Sequence, residues 1–302
     1  MSQIVPLAVS APSNLEVTVR LLQRRPANRI DRWEDGRYLR AFQTDEGLRL
    51  FGVVNAGTID APDIRMEVIG DLLGDVSLAQ VTATVRWMLG LDDAPAPERL
   101  LADQEPRVAG TLEWLHGFRP PAFPTLFDTC LAILPYQQLS LEAGTAILGR
   151  LVERFGQQLT LDGAGWFDFP APEVIAGAGE ADLIAVGLSR AKSVAVRALA
   201  ELALSSALER SRFDGLSTAD LRIQLQRLLG IGPWSAGLML LRGMRRMDVF
   251  PTGDSGAARS LTALLGLPGK LTIADADAYA DTFGDLRGYL YFLCLGNRLF
   301  KP

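Results

Sequence analysis

The sequence predicts a mainly α-helical protein in which an N-terminal α+β unit, built on an antiparallel sheet, precedes an all-helical body. Three observations carry that expectation. Strand-length runs with β-branched or aromatic content, separated by turn residues, crowd into the first 70 residues. Beyond residue 100, apolar positions recur at helical spacing in segment after segment. Between the two lies the proline-rich "DDAPAPERL" (92–100), which punctuates the chain.

The strands expected are "LEVTVRLL" (15–22), "RYLRAFQT" (37–44), "GLRLFGVV" (47–54) and "DIRMEVIG" (63–70). In "SLAQVTATVRWMLGL" (77–91) the residues Leu78, Val81, Val85, Met88 and Leu89 share a helical face, completing an α+β domain over 1–104. The helical domain, 105–302, starts with "RVAGTLEWLHGF" (107–118), turns at "RPPAFP" (119–124) and continues through "TLFDTCLAILPY" (125–136). "SLEAGTAILGRLVERFG" (140–156) opens on an N-cap, Ser140, and closes on a C′ residue, Gly156. Further helices fit 180–186, 190–206, 218–229, 233–245, 255–265 and 286–299. No internal repeat or low-complexity tract interrupts them.

With 302 residues and 48% hydrophobic content the chain can build two or three cored units. Its opening residues lack a basic stretch followed by a long apolar run, and no window offers about 18 uninterrupted apolar residues. A soluble cytoplasmic monomer with no membrane contact is expected. Cys130, Cys294 and the single histidine, His116, fall short of the ligand sets of an iron–sulfur cluster or structural zinc, so no metal is expected. The net charge of −5 argues against a polyanionic partner, but the average hides an asymmetry. Residues 190–246 hold ten basic and four acidic side chains, a balance of +6, which leaves −11 for the remainder. An electropositive face is therefore compatible with an acidic protein.

The stretch "LLGIGPWSAGLMLLRG" (228–243) interrupts one helix and starts another. Leu225, Leu228 and Leu229 end the first; Gly230 and Gly232 permit a tight hairpin with positive φ, and Pro233 suits a first helical turn. Backbone N–H groups at such a helix start suit a phosphate, and no side chain on Gly232 obstructs its approach. A plain corner between two helices would use the same residues. Asp254 lies 22 positions beyond Gly232, at the end of "DVFPTGD", where it can cap the helix "SGAARSLTALLG". A carboxylate there could also stabilise a cationic centre, and the two roles are compatible.

Taken with "AILPYQQLSLEAGTAILGRLVERFG" (132–156), "FPAPEVIA" (169–176) and "LIAVGLSRAKSVAVRALAELA" (183–203), these segments resemble the helix-hairpin-helix DNA glycosylases, especially the DNA-3-methyladenine glycosylase II branch. The resemblance implies a two-lobed core, 126–248 and 105–125 plus 249–302, with the hairpin unit at 218–245. It places the essential aspartate on Asp254 and the duplex-wedging residue on Gln138. DNA contacts fall on Leu229, Gly230, Ile231, Gly232 and Pro233, with Ser235 and Arg242 beyond them. Trp234, Leu238 and Leu286 fall on the base pocket.

Members with a lyase step carry a lysine where this chain has Trp234, so the resemblance implies a monofunctional enzyme that leaves an abasic site. The implied partner is duplex DNA with damaged bases, and no cofactor is implied beyond a monovalent cation that the hairpin carbonyls could hold. An alkylated purine is a good leaving group and stacks well on an indole such as that of Trp234, so little acid catalysis is required for its release. Two departures stand out: Leu238 and Asp285-Leu286-Arg287 occupy positions where the branch commonly has aromatics. A more open pocket is expected. A non-catalytic damage-binding protein and a glycosylase for oxidised or deaminated bases remain as alternatives.

Overall fold

Alternation in the first part folds as expected into an antiparallel sheet. In the computed structural model, which describes residues 3–300, it has the order β1-β5-β4-β3-β2. The strands are β1 (Gln3–Leu7), β2 (Arg32–Glu34), β3 (Arg37–Thr44), β4 (Gly47–Asn55) and β5 (Ile64–Ile69). In the β3–β4 register Arg40 faces Phe51 and Phe42 faces Arg49. One sheet face packs on α1 (Leu15–Gln23) and α2 (Asp75–Leu89). Ala41, Leu48 and Leu50 on the other face meet Trp166 of a second hairpin, β6 (Gln158–Leu161) and β7 (Ala164–Phe167).

Residues 15–22 are helical, not a strand. Asn14 caps α1, its side chain accepting from the Val17 N–H at 3.1 Å. Leu15, Val17, Val19, Leu21 and Leu22 are all buried, so nearly the whole circumference is apolar and the alternation mimics a strand. The helical signature was the Glu16–Arg20 pair, which closes at 2.7 Å.

The remaining helices are α3 (Glu98–Gln104), α4 (Ala109–Trp114), α5 (Leu126–Ile133), α6 (Leu141–Phe155), α7 (Pro172–Gly177), α8 (Glu180–Ala185) and α9 (Arg190–Leu204), then α10 (Thr218–Leu225), α11 (Pro233–Leu238), α12 (Ser255–Leu264), α13 (Ile273–Asp281) and α14 (Arg287–Phe300). Several features differ from the sequence reading. The β6–β7 hairpin interrupts the helical body, turning on Asp162 and Gly163 at positive φ. Helix α13, rich in Ala and Asp, is set by a capping box between Thr272 and Asp275. The 233–245 helix is α-helical only to Leu238 and loosens into a π-turn over Met239–Gly243. Gly156 ends α6 in an extended conformation instead of a left-handed one, and a Cβ there would sit 2.5 Å from the Asp168 carbonyl.

One hydrophobic core runs without interruption from Leu7 through Val19, Val85, Leu131 and Leu240 to Leu293. A buried charge network adds a second tie. Arg40, 1% exposed, reaches Asp31 at 2.7 Å and Asp168 at 3.3 Å, while the Tyr38 hydroxyl donates to Asp31 at 2.7 Å. Asp168 also accepts from the Gln43 N–H at 2.9 Å, so the loop after β7 is fastened to the edge of β3. Among the described residues no helix is long and apolar enough to cross a membrane.

Candidate active site

The hairpin is built by two glycines with different tasks. Ser217 caps α10, and Leu221 and Leu225 anchor it in the core. The chain then turns at Gly230, where φ is 79°, and a Cβ would lie 2.6 Å from the Ala195 Cβ on α9. Gly232 has φ −87°, so the expected positive φ is confined to Gly230. What Gly232 provides is access: a Cβ there would meet nothing within 4 Å, directly before Pro233 starts α11. Ile231, 4% exposed, plugs the hairpin into the core, whereas Leu229 stands out at 54%.

Close backbone packing carries Asp254 to the hairpin. A Cβ on Gly237 would sit 2.9 Å from the Pro251 Cα, so the 248–254 segment rests directly on α11. Gly253, at φ 82°, turns the chain into α12. Asp254 Oδ1 then accepts from the Gly256 and Ala257 N–H groups, each at 2.8 Å, and its Oδ2 accepts from the Trp234 indole N–H at 2.9 Å. The capping role read from the sequence is therefore accompanied by a tryptophan that aims the second oxygen. Nearby, Asp277 accepts from the Gly253 N–H at 3.1 Å. Burial, then the carboxylates of Asp281 and Asp254, raises the Asp277 pKa above the usual range.

Asp254 and Trp234 line a cleft of about 1410 Å³ together with Gly230, Gly232, Pro233 and Ser235. Its opposite lip is the loop between α5 and α6. There Gln138 adopts φ 59° and is exposed beside Leu139, itself 47% exposed. The preceding residue, Gln137, was not singled out from the sequence. Its Nε2 donates to the Gly230 carbonyl and to Ser235 Oγ, both at 2.8 Å, locking lip to hairpin. Lys192 Nζ holds the Gln137 carbonyl from behind at 2.8 Å. These partners are far apart in the chain, so "YQQLS" alone carried no signal for them.

Other expected site residues lie elsewhere. Leu238 is 1% exposed and packs in the core, and Leu286 packs on the core without lining the cleft. Arg242 does not reach the surface: it is fully buried, its guanidinium 4.7 Å from the Phe123 ring centroid. Burial and the charge of Arg24 push its pKa down to about 9. Tyr291 lines the cleft. The basic segment is also partly spent inside the fold. Arg210 stacks on Trp87 at 4.1 Å, Arg245 pairs with Asp93, Arg246 donates to the Leu216 carbonyl, and Arg190 pairs with Glu180. Among the described residues no three His, Cys, Asp or Glu side chains converge as a metal site.

Residues 131–279 match the HhH-GPD superfamily of base excision DNA repair proteins. That stretch holds the hairpin, the glutamine lip, Trp234 and Asp254. The chain carries an HhH-GPD domain. A DNA-3-methyladenine glycosylase of Bacillus subtilis is 29% identical over 194 residues, 64% of each chain. A probable bifunctional transcriptional activator/DNA repair enzyme AlkA of Mycobacterium tuberculosis is 29% identical over 87% of this chain and 51% of its own. This chain thus spans less than two thirds of either relative. A 3-methyladenine DNA-glycosylase structure from Archaeoglobus fulgidus superposes over 99% of both chains with TM-score 0.79 and 23% identity, so the likeness in fold includes the N-terminal sheet domain.

Proposed function

We propose that this HhH-GPD protein is a monofunctional DNA glycosylase that hydrolyses the bond between a damaged purine and its deoxyribose in duplex DNA. The observation that carries the reading is Asp254, held at the cleft wall by three N–H donors with Trp234 beside it. Cleavage of the C1′–N bond sends the electron pair to the base and leaves an oxocarbenium-like sugar. An anionic Asp254 stabilises that charge and orients the water that adds to C1′ and loses a proton. For an N3- or N7-alkylated purine the base departs neutral, so no strong acid is required. Gln138 and Leu139 suit the role of filling the duplex where the nucleotide has left, and Gly232 leaves room for a phosphate at the start of α11.

No lysine is among the described residues that line the cleft, which favours hydrolysis over a Schiff-base lyase step. The names of the relatives favour alkylated purines as substrate. Incubation with duplex DNA methylated at adenine N3 and guanine N7 tests this: free methylated bases appear and the strand stays unbroken until alkali is added. Strand cleavage without alkali would point to a lyase, and binding with no base release to a damage sensor.

A further inference from the structure

The cleft wall holds three arginines, Arg24, Arg259 and Arg298, and two of them are exposed. Arg24 is the half-buried one, and it comes from the other end of the chain, at the C-terminus of α1. Its Nη2 donates to the Tyr291 hydroxyl at 3.2 Å, and its guanidinium lies 5.9 Å from the Tyr136 ring centroid. Its Nε is buried and bonds nothing, and among the described residues no carboxylate pairs with it. The backbone is constrained too: Arg24 has φ 62°, an unusual conformation for a residue with a Cβ. Tyr136 is fixed in turn, because its ring occupies the space a Cβ on Gly144 would need, 2.3 Å away, and its hydroxyl meets Thr145 at 3.3 Å. A planar donor is thus held between two tyrosines in the cleft that contains Asp254, with N–H groups left over.

We infer that Arg24 is a specificity-determining residue that donates to the N7 and C6-oxygen edge of a flipped purine. The assignment rests on the glycosylase reading and deepens it. A guanidinium matches that pair of acceptors in two-pronged fashion. A base leaving the duplex exposes this edge, whereas phosphates approach at the open backbone of Gly232 and Pro233. Alkylation at N7 replaces one acceptor by a methyl group and puts positive charge beside the guanidinium. Arg24 therefore favours 6-oxopurines with an unsubstituted N7, of which hypoxanthine is the simplest, over 7-methylguanine; such a base leaves with the bonding pair as an anion, which the same donors stabilise and water then protonates.

Single-turnover release from duplexes containing hypoxanthine or 7-methylguanine tests this with wild type, Arg24→Met and Arg24→Lys. Arg24→Met lowers hypoxanthine release on the order of ten- to a hundred-fold and leaves 7-methylguanine release within about threefold. Arg24→Lys, which keeps charge but not the fork, loses most of the same preference. Equal losses on both bases would assign Arg24 to a phosphate or to folding and overturn the inference, as would no loss on either. Binding of the two free bases, read by quenching of tryptophan fluorescence, needs no catalysis. Preferential binding of hypoxanthine that Arg24→Met abolishes, with no base ever released from DNA, would sink the glycosylase reading and keep Arg24. Release of 7-methylguanine with no Arg24-dependent preference would do the reverse.

Discussion

The indole N–H of Trp234 donates to Asp254 Oδ2 at 2.9 Å, linking the first turn of α11 to the cap of α12 across the mouth of the cleft. One oxygen of Asp254 serves the helix, and the other is aimed by the tryptophan. Trp234→Phe keeps an aromatic wall but removes this donor. A hydrogen bond to a charged group contributes about 1.5–3 kcal/mol, so the base-release rate falls about tenfold or more, with duplex affinity nearly unchanged. Equal rates for the two proteins would show that the bond does not position the carboxylate.

The two oxygens of Asp254 can be separated by substitution. Asp254→Ala loses the bonds to Gly256 and Ala257 and costs about 0.5–2 kcal/mol of stability, measured by urea unfolding. Asp254→Asn keeps a capping oxygen and unfolds close to wild type. An Asn variant as unstable as Ala would mean that charge, not capping geometry, sustains this end of α12.

The hairpin glycines give opposite outcomes. Gly230→Ala forces a side chain onto φ 79° and into Ala195, and lowers stability by about 1–3 kcal/mol. Gly232→Ala meets nothing within 4 Å at φ −87° and leaves the unfolding curve in place. Its methyl instead stands where a phosphate must come, so duplex affinity weakens. A Gly232→Ala protein with unaltered affinity would remove the hairpin from the DNA interface.

Salt dependence should be steep but bounded. Lys192, Arg210, Arg242, Arg245 and Arg246 are engaged within the fold, so few cations of the 190–246 segment remain for phosphates. Exposed Arg212 and Arg227, with Arg259 and Arg298 near the cleft, set the scale. At about −0.9 per neutralised phosphate, log affinity against log salt should fall with slope about −4. A flat line would contradict electrostatic docking.

The single histidine reports its own environment. Glu98 and then Asp60, at 2.9 and 3.1 Å, raise the His116 pKa above 6.5. Because the folded value is the higher one, the contribution is fully present below 6.5 and is lost as pH rises through the folded value. His116→Gln therefore destabilises the protein at pH 5.5 and much less at pH 9, read from paired urea titrations. A pH-independent difference would show that the two ion pairs contribute nothing.

Much of this was legible in the chain itself. Strands β3, β4 and β5 alternate openly, and Ser140, Pro233 and Asp254 carry their helix ends in their chemistry. Helix α1 was hidden because burial on almost every side erases helical periodicity, leaving only Glu16 and Arg20 to betray it. The Asp-Gly turn of β6–β7 and the Thr272–Asp275 box were local signals that the helical context overshadowed. Arg242 was expected at the DNA because nothing in its own stretch of sequence shows that Phe123, far away in the chain, covers it. Gln137, Tyr136 and Arg24 could not be placed at the cleft, since their partners are separated from them by long stretches of chain.

The most direct measurement is release of free base from methylated duplex DNA by wild type and Asp254→Asn under single-turnover conditions, with unfolding curves recorded in parallel. In Asn the amide N–H faces the Trp234 donor, while the cap to Gly256 and Ala257 is kept. The account predicts that wild type frees 3-methyladenine and that the folded variant loses release by about a hundredfold or more while binding the duplex as before. Equal release by both proteins, or release by neither with equal binding, would reduce Asp254 to a helix cap and contradict it.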